Sequence, residues 1–193
     1  MRKNILIING HPLQDSFCSA LGEAYREGAE KNGSCSQIVF LSELNFDPLL
    51  RHGYRKSQPL EPDLKKTQEL IRWAEHLVIV YPVWWGSMPA LLKGFIDRTF
   101  LPHFAFSYQK GSLLPKKLLQ GRSASLLTTL DSPPLLHSLL FKKPGIQSLK
   151  KSVLQFSGFH PVRVKMFGPI RNSSLSRREK WLKKASNLGH RHF

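Results

Sequence analysis

Acidic residues are scarce in this chain. Thirteen Asp and Glu stand against 29 Lys and Arg in 193 residues, a net charge of +16. Cysteine is nearly absent, with only Cys18 and Cys35. Two cysteines form no disulfide framework and no Cys/His ligand set, so a disulfide-stapled scaffold and a zinc-ribbon type of metal centre are excluded, and no metal is expected. Long apolar runs are missing as well. The longest, residues 77–85, is too short to cross a bilayer as a helix. Residues 5–8 are too short for the apolar core of a signal peptide. A cytoplasmic location is the resulting expectation. Several catalytic signatures are also lacking: no GxSxG elbow, no HExxH and no paired carboxylates. No GxGxxG or GxxxxGK(S/T) loop occurs, which argues against the Rossmann dinucleotide and P-loop readings.

What is present describes a globular protein. Hydrophobic residues make up 41% and aromatics 10%, and the length suits one domain over residues 1–193. The positive charge is uneven. From residue 142 to the end there are thirteen Lys and Arg and one acid, Glu179. Such a face is a solvated basic surface or an attractor for an anionic partner, such as a phosphorylated cofactor or an acidic lipid. No nucleic-acid motif accompanies it, so no nucleic-acid partner is expected.

Short apolar runs alternate with amphipathic segments. Strands are expected at residues 4–9, 37–41, 76–81, 123–129 and 162–167. Helices are expected at 17–31, 62–75, 89–100, 146–155 and 175–188. Residues 44–60 and 102–117 read as irregular excursions, and 131–145 as a loop or broken helix. Five strands alternating with five helices imply an α/β fold: a parallel sheet between two helical layers. The common order for five such strands is 2-1-3-4-5, the flavodoxin-like arrangement. Its ligand cleft lies between the carboxyl ends of strands one and three.

Three loops should then meet the ligand. After strand one, His11 and Ser16 stand at the start of a helix, followed by Phe17 and Cys18. A helix N-terminus offers unpaired N–H groups to a phosphate. Ser16 reads equally as a plain N-cap. After strand three comes Pro82-Val83-Trp84-Trp85-Gly86. Two adjacent tryptophans at a strand end imply one ring packed inward and one facing a cleft or partner. A flat apolar ring such as a flavin suits that wall. After strand four come Thr128, Thr129 and Leu130, whose hydroxyls and backbone can reach the ligand's far side.

Taken together, these loops resemble those of the flavodoxin-like NAD(P)H:quinone reductases over almost the whole chain. The loop from His11 to Phe17 is similar to that family's phosphate loop, and Pro82-Val83-Trp84-Trp85 to its P-x-x-W flavin loop. Leu92-Lys93-Gly94-Phe95-Ile96-Asp97-Arg98-Thr99-Phe100 resembles its LKGW helix. Phe104-Ala105-Phe106-Ser107-Tyr108 resembles its aromatic gate. Cys18 replaces an Asn of the animal enzymes, and Leu130-Asp131 replaces a Gly-Gly pair. The family's tyrosine in the third loop falls near Leu136, with His137 beside it.

The resemblance implies a flavin cofactor, NAD(P)H as electron donor and a quinone-type acceptor, exchanged by a ping-pong cycle at one site. FMN and FAD share the ring and first phosphate, and the resemblance of the 44–60 excursion favours FAD; the family also implies a homodimer with the 102–117 segment at the contact. Phe106 and Tyr108 would shape the acceptor pocket, and His137 would donate a proton. An ancillary flavoprotein that binds a membrane transporter or an anionic surface through its basic last quarter is the competing expectation.

Overall fold

The computed structural model describes residues 2–112 and 114–193. In chain order the elements are β1 (Asn4–Asn9), α1 (Phe17–Lys31), β2 (Cys35–Phe40), α2 (Pro62–Trp73), β3 (His76–Pro82) and α3 (Ala90–Thr99). A short hairpin, β4 (Phe106–Ser107) and β5 (Lys116–Lys117), precedes β6 (Ser123–Thr129). There follow α4 (Pro134–Phe141), α5 (Pro144–Gln147) running into a π-helical segment at Ser148–Gln155, β7 (Val162–Phe167) and α6 (Leu175–His190). One parallel sheet has the order β2-β1-β3-β6-β7. Without the hairpin, that is the expected 2-1-3-4-5 order.

The central strands β1 and β3 are apolar on both faces because both faces are covered. Ile5 and Ile7 join Cys18, Leu21, Tyr25 and Ala185 under α1 and α6. Leu6 and Ile8 join Leu64, Ile71, Leu92 and Phe95 under α2 and α3. The result is a three-layer sandwich.

Helix α1 starts where the Ser16 side chain accepts the Ser19 N–H. It ends before Gly33, whose φ of +77° favours glycine. Helix α6 crosses it at backbone distance. A Cβ on Gly28 would stand 1.9 Å from the Ser186 carbonyl oxygen, and one on Gly189 1.9 Å from that of Tyr25.

The 44–60 excursion is fastened along α3. Arg98 has no exposed surface. Its guanidinium donates to the Glu61 carboxylate at 2.9 Å and to the carbonyls of Asp47 and Pro59 at 2.5 and 2.9 Å. These acceptors offset the burial of the two terminal guanidinium nitrogens, while Nε has no partner among the described residues. Two segments differ from the sequence expectation. Residues 134–141 form a helix, started by Pro133-Pro134 and stopped at Lys142 and Lys143, which both take positive φ. The helix expected from 146 begins at Pro144 and widens into π geometry at Ser148. Among the described residues no helix is long and apolar enough to cross a membrane.

Candidate functional site

The helix after β1 lies on one face of the sheet and the helix after β3 on the other. A crevice opens between two strands whose connections part in this way. Here it is a cleft of about 280 Å³. His11, Leu13, Ser16, Phe17 and Cys18 form one wall, and Pro82, Val83 and Trp84 the opposite one. Thr129, Leu130 and Asp131 close it from β6, with Ile170 behind them.

Asn9, the last residue of β1, is fully buried and organises the first wall. Its Oδ1 accepts the His11 N–H at 2.9 Å, and its Nδ2 donates to Ser19 Oγ at 2.7 Å. Ser19 Oγ lies 3.0 Å from Ser16 Oγ, which also accepts the Ser19 N–H at 3.2 Å. One carboxamide thus sets both the His11 loop and the cap of α1. The N–H groups of Phe17 and Cys18, in the first turn, have no intrahelical acceptor by geometry. Gly10 lets the loop pass α3, since a Cβ there would come within 2.9 Å of Leu92.

Burial holds the His11 imidazole below its ordinary value, against opposing effects of its Leu13 backbone contact and Asp15. Nδ1 lies 3.0 Å from the Leu13 nitrogen and 3.2 Å from its carbonyl oxygen, and in the tautomer that accepts the Leu13 N–H the ring proton is on Nε2. The ring meets Trp84 edge-on with centroids 5.5 Å apart, so the two walls touch. Cys18 forms part of the floor, its Sγ 3.3 Å from Thr129 Oγ1. Burial pushes its thiol up to about 12 despite that bond. It is therefore a neutral surface and not a nucleophile.

The Trp loop differs from expectation. Trp84 and Ser87 exchange both backbone hydrogen bonds at 2.9 Å around Trp85 and Gly86, which have φ of +49° and +74°. So tight a turn carries both indoles outward, and neither packs into the core. Trp84 is 45% exposed at the cleft, whereas Trp85 is fully exposed beside it. Gly86 faces away and receives the Gly145 N–H at 3.1 Å. In the third loop, Thr129 reaches the cleft but Thr128 does not. Successive strand residues point to opposite faces, and Thr128 is fully buried.

Three other residues expected at the site lie elsewhere in a single chain. Phe106 belongs to the hairpin and lines a separate pocket of about 200 Å³ with Tyr54, Phe100 and Phe156. Tyr108 stands exposed, edge-on to Phe106 at 5.4 Å. His137 is only 4% exposed on the inner side of α4, against Phe141, and does not line the cleft. Sequence reasoning missed Asn9, Leu13, Ser19, Asp131 and Ile170 as site residues. The Gly168-Pro169 break after β7 was a usable signal for Ile170. Its N–H binds the Leu130 carbonyl at 3.1 Å, and Asp131 accepts the Arg171 N–H at 2.9 Å. Among the described residues no His/Cys/Asp/Glu group is arranged to hold a metal ion.

The donor set fits the phosphate arm of a flavin, with first-turn N–H groups, a hydroxyl and an imidazole N–H at a helix N-terminus. The Trp84 wall and the apolar floor fit a flat ring.

A three-layer α/β sandwich with this strand order and a cleft at this switch point defines the flavodoxin-like class. The chain belongs to the family of flavodoxin-like fold whose model matches residues 3–188. It is 27% identical over 176 residues to an uncharacterized NAD(P)H oxidoreductase of Haemophilus influenzae, covering 86% of this chain and 84% of that one. It is 27% identical over 158 residues to NAD(P)H dehydrogenase (quinone) 1 of Cavia porcellus, covering 71% of this chain and 56% of that longer protein. A solved structure from Streptococcus mutans is similar with a TM-score of 0.82 and 30% identity, over 97% of this chain and 99% of that one.

Proposed function

We propose that the protein is a flavin-dependent NAD(P)H:quinone oxidoreductase acting in the cytoplasm. The observation that carries this reading is the convergence of the α1 N-terminus and the Trp84 wall on one cleft. The oxidoreductase relatives and the lack of a hydrolytic side-chain set support it. A bound flavin would accept hydride from NAD(P)H and return two electrons to the quinone. His11, Ser16 and the Phe17 and Cys18 N–H groups would hold the phosphate in the positive field of the helix end. Trp84 and Pro82-Val83 would orient the ring. Thr129 and Leu130 would cover its far side and exclude water. One cleft serving donor and acceptor in turn favours ping-pong kinetics, read as parallel double-reciprocal plots.

The 44–60 excursion is the segment that would reach the adenine end of FAD. That segment lies along α3, and none of its residues lines the cleft. The cleft therefore supports the ring, ribityl chain and first phosphate, which FMN and FAD share. A homodimer belongs to the same proposal. Phe106 with the exposed Tyr54 and Tyr108 forms an aromatic surface on the hairpin side, suited to a second copy.

The visible spectrum of the purified protein, with mass analysis of the released cofactor, tests the reading. Yellow protein that oxidises NAD(P)H only when a quinone is added is the expected result. Colourless protein that takes up neither FMN nor FAD overturns it. Trp84→Ala is expected to weaken flavin binding about tenfold, roughly 1.4 kcal/mol. Trp85→Ala, which removes an indole outside the cleft, is expected to leave flavin binding unchanged.

A further inference from the structure

The amino end of the sheet, opposite the cleft, carries a recess of about 290 Å³. Lys3 precedes β1, Ser123 opens β6, His160 and Arg163 flank the start of β7, and His192 follows α6. Glu75, just before β3, is the one acid in the lining. Its Oε2 accepts the Asn4 N–H at 2.9 Å. The basic residues therefore come from both ends of the chain and meet only through the parallel sheet.

The recess is built from fixed parts. Ser123 Oγ lies 2.7 Å from Nδ1 of the buried His76. His192 Nε2 lies 2.7 Å from Ser34 Oγ, which also accepts the Lys3 N–H at 3.2 Å. The stretch after α6 is thus joined to the start of β1. The cations, by contrast, lack partners. Among the described residues neither Lys3 nor Arg163 forms an ion pair. Arg163 donates to the His192 carbonyl at 3.4 Å, a long contact to an uncharged acceptor. The nearby Phe193 carbonyl is engaged by the hydroxyls of Ser125 and Tyr25. Burial, and next the Lys3 charge, hold the His192 imidazole below its ordinary value.

Two unpaired cations at one recess repel each other, and the fold keeps them there. A bound anion relieves that repulsion. A carboxylate would satisfy one cation. A phosphate group brings up to about two negative charges and several acceptor oxygens, enough for a guanidinium fork, an ammonium and a hydroxyl together. An extended polyanion needs cations spread along a face, whereas these converge on one hollow.

We propose that this recess binds a phosphate group, free or at the end of a small metabolite, with Arg163 and Lys3 as counter-charges and the Ser123 hydroxyl as a further donor. The ligand would join β1, β6, β7 and the end of α6, and so stabilise the folded chain. None of these residues lines the cleft, so the site stands independently of the reductase reading.

The test is calorimetric titration of the full chain with inorganic phosphate and, separately, with glycerol 3-phosphate, at an ionic strength held constant with sodium chloride. Saturable binding is expected. The double variant K3Q/R163Q is expected to weaken it about tenfold, through loss of charge-assisted hydrogen bonds. E75Q, which removes the acid, is expected to tighten it about threefold. S16A, altered at the cleft, is expected to bind at the recess as the parent does. Without phosphate, K3Q/R163Q should unfold at no lower a temperature than the parent, since like charges have been removed. Tighter binding of glycerol 3-phosphate assigns the site to a phosphorylated metabolite, and the reverse order to free phosphate. Absence of saturable binding at constant ionic strength overturns the proposal. So does undiminished binding by K3Q/R163Q, or loss confined to S16A, which places the phosphate at the cleft instead. None of these readouts depends on flavin or on electron transfer.

Discussion

Helices α6 and α4 both lie in the last third of the chain and behave in opposite ways. Helix α6 carries Arg177, Arg178, Glu179, Lys180, Lys183 and Lys184, yet it is pressed backbone to backbone against α1. Helix α4 carries no charge and lies open. Average hydropathy would assign the burial the other way round. Burial follows from a matched surface instead. Trp181, Leu182, Ala185, Leu188 and Gly189 form one stripe on α6, and α1 offers Tyr25, Gly28 and Ala29 to receive it. Trp181 closes the end of that stripe against Phe17 and Phe167, with centroids 6.0 and 6.4 Å away. Nothing in the described chain offers α4 a matching face.

Substitutions on the two helices should separate accordingly. The largest effect is expected for Gly189→Ala, whose new methyl meets the Tyr25 backbone oxygen at 1.9 Å with no flexible atom to yield. It should cost about 3 kcal/mol, the upper part of the overpacking range, in urea denaturation. A cost near zero would mean that α6 is held by charge and not by close contact. At the other end of α1, Ser16→Ala should cost about 1 kcal/mol through loss of the cap, and should also weaken flavin binding.

Acid provides a third probe of the α1–α6 face. His76 lies beneath it, its ring parallel to Tyr25 and its Nδ1 2.7 Å from Ser123 Oγ. Burial, with the Lys3 charge as a lesser cause, holds its imidazole at about 3. The unfolded chain takes up that proton near the ordinary value of 6.5, while the folded chain does not. Its contribution is therefore fully present above about pH 6.5 and is lost as pH falls from there toward 3. Urea midpoints across this window should decline, and His76→Asn should flatten the decline. The smallest effect is expected for L139S/L140S, which should change stability by less than about 0.5 kcal/mol. A larger loss would mean that α4 has a covering partner after all.

Much of the fold was legible in the sequence. β1, β6 and β7 could be bounded to the residue because each apolar segment is flanked by turn or loop residues. Burial of both faces of β6 hid which way each side chain points. In Ser123–Thr129 nothing in the pattern separates Thr129, which meets Cys18 at the cleft, from Thr128, which is buried. His11, Ser16 and Trp84 were legible because strand order alone locates the switch point and they follow the right strands. Asn9 was not, since its task depends on two partners brought to it by the turn and the helix. Phe106, Tyr108 and His137 were expected at the cleft by resemblance. Within one chain, the hairpin and α4 hold them elsewhere.

By itself, the sequence determined the succession of strands and helices, the sheet order and the loops that meet at the cleft. Run length, capping residues and proline placement are local properties, and strand order follows from their alternation. Only the tertiary structure decided that Trp84 and not Trp85 lines the cleft, that a charged helix is docked by glycine contact, and that an uncharged one is left exposed. Those outcomes depend on turn geometry and on surfaces supplied by distant segments, which no local pattern encodes.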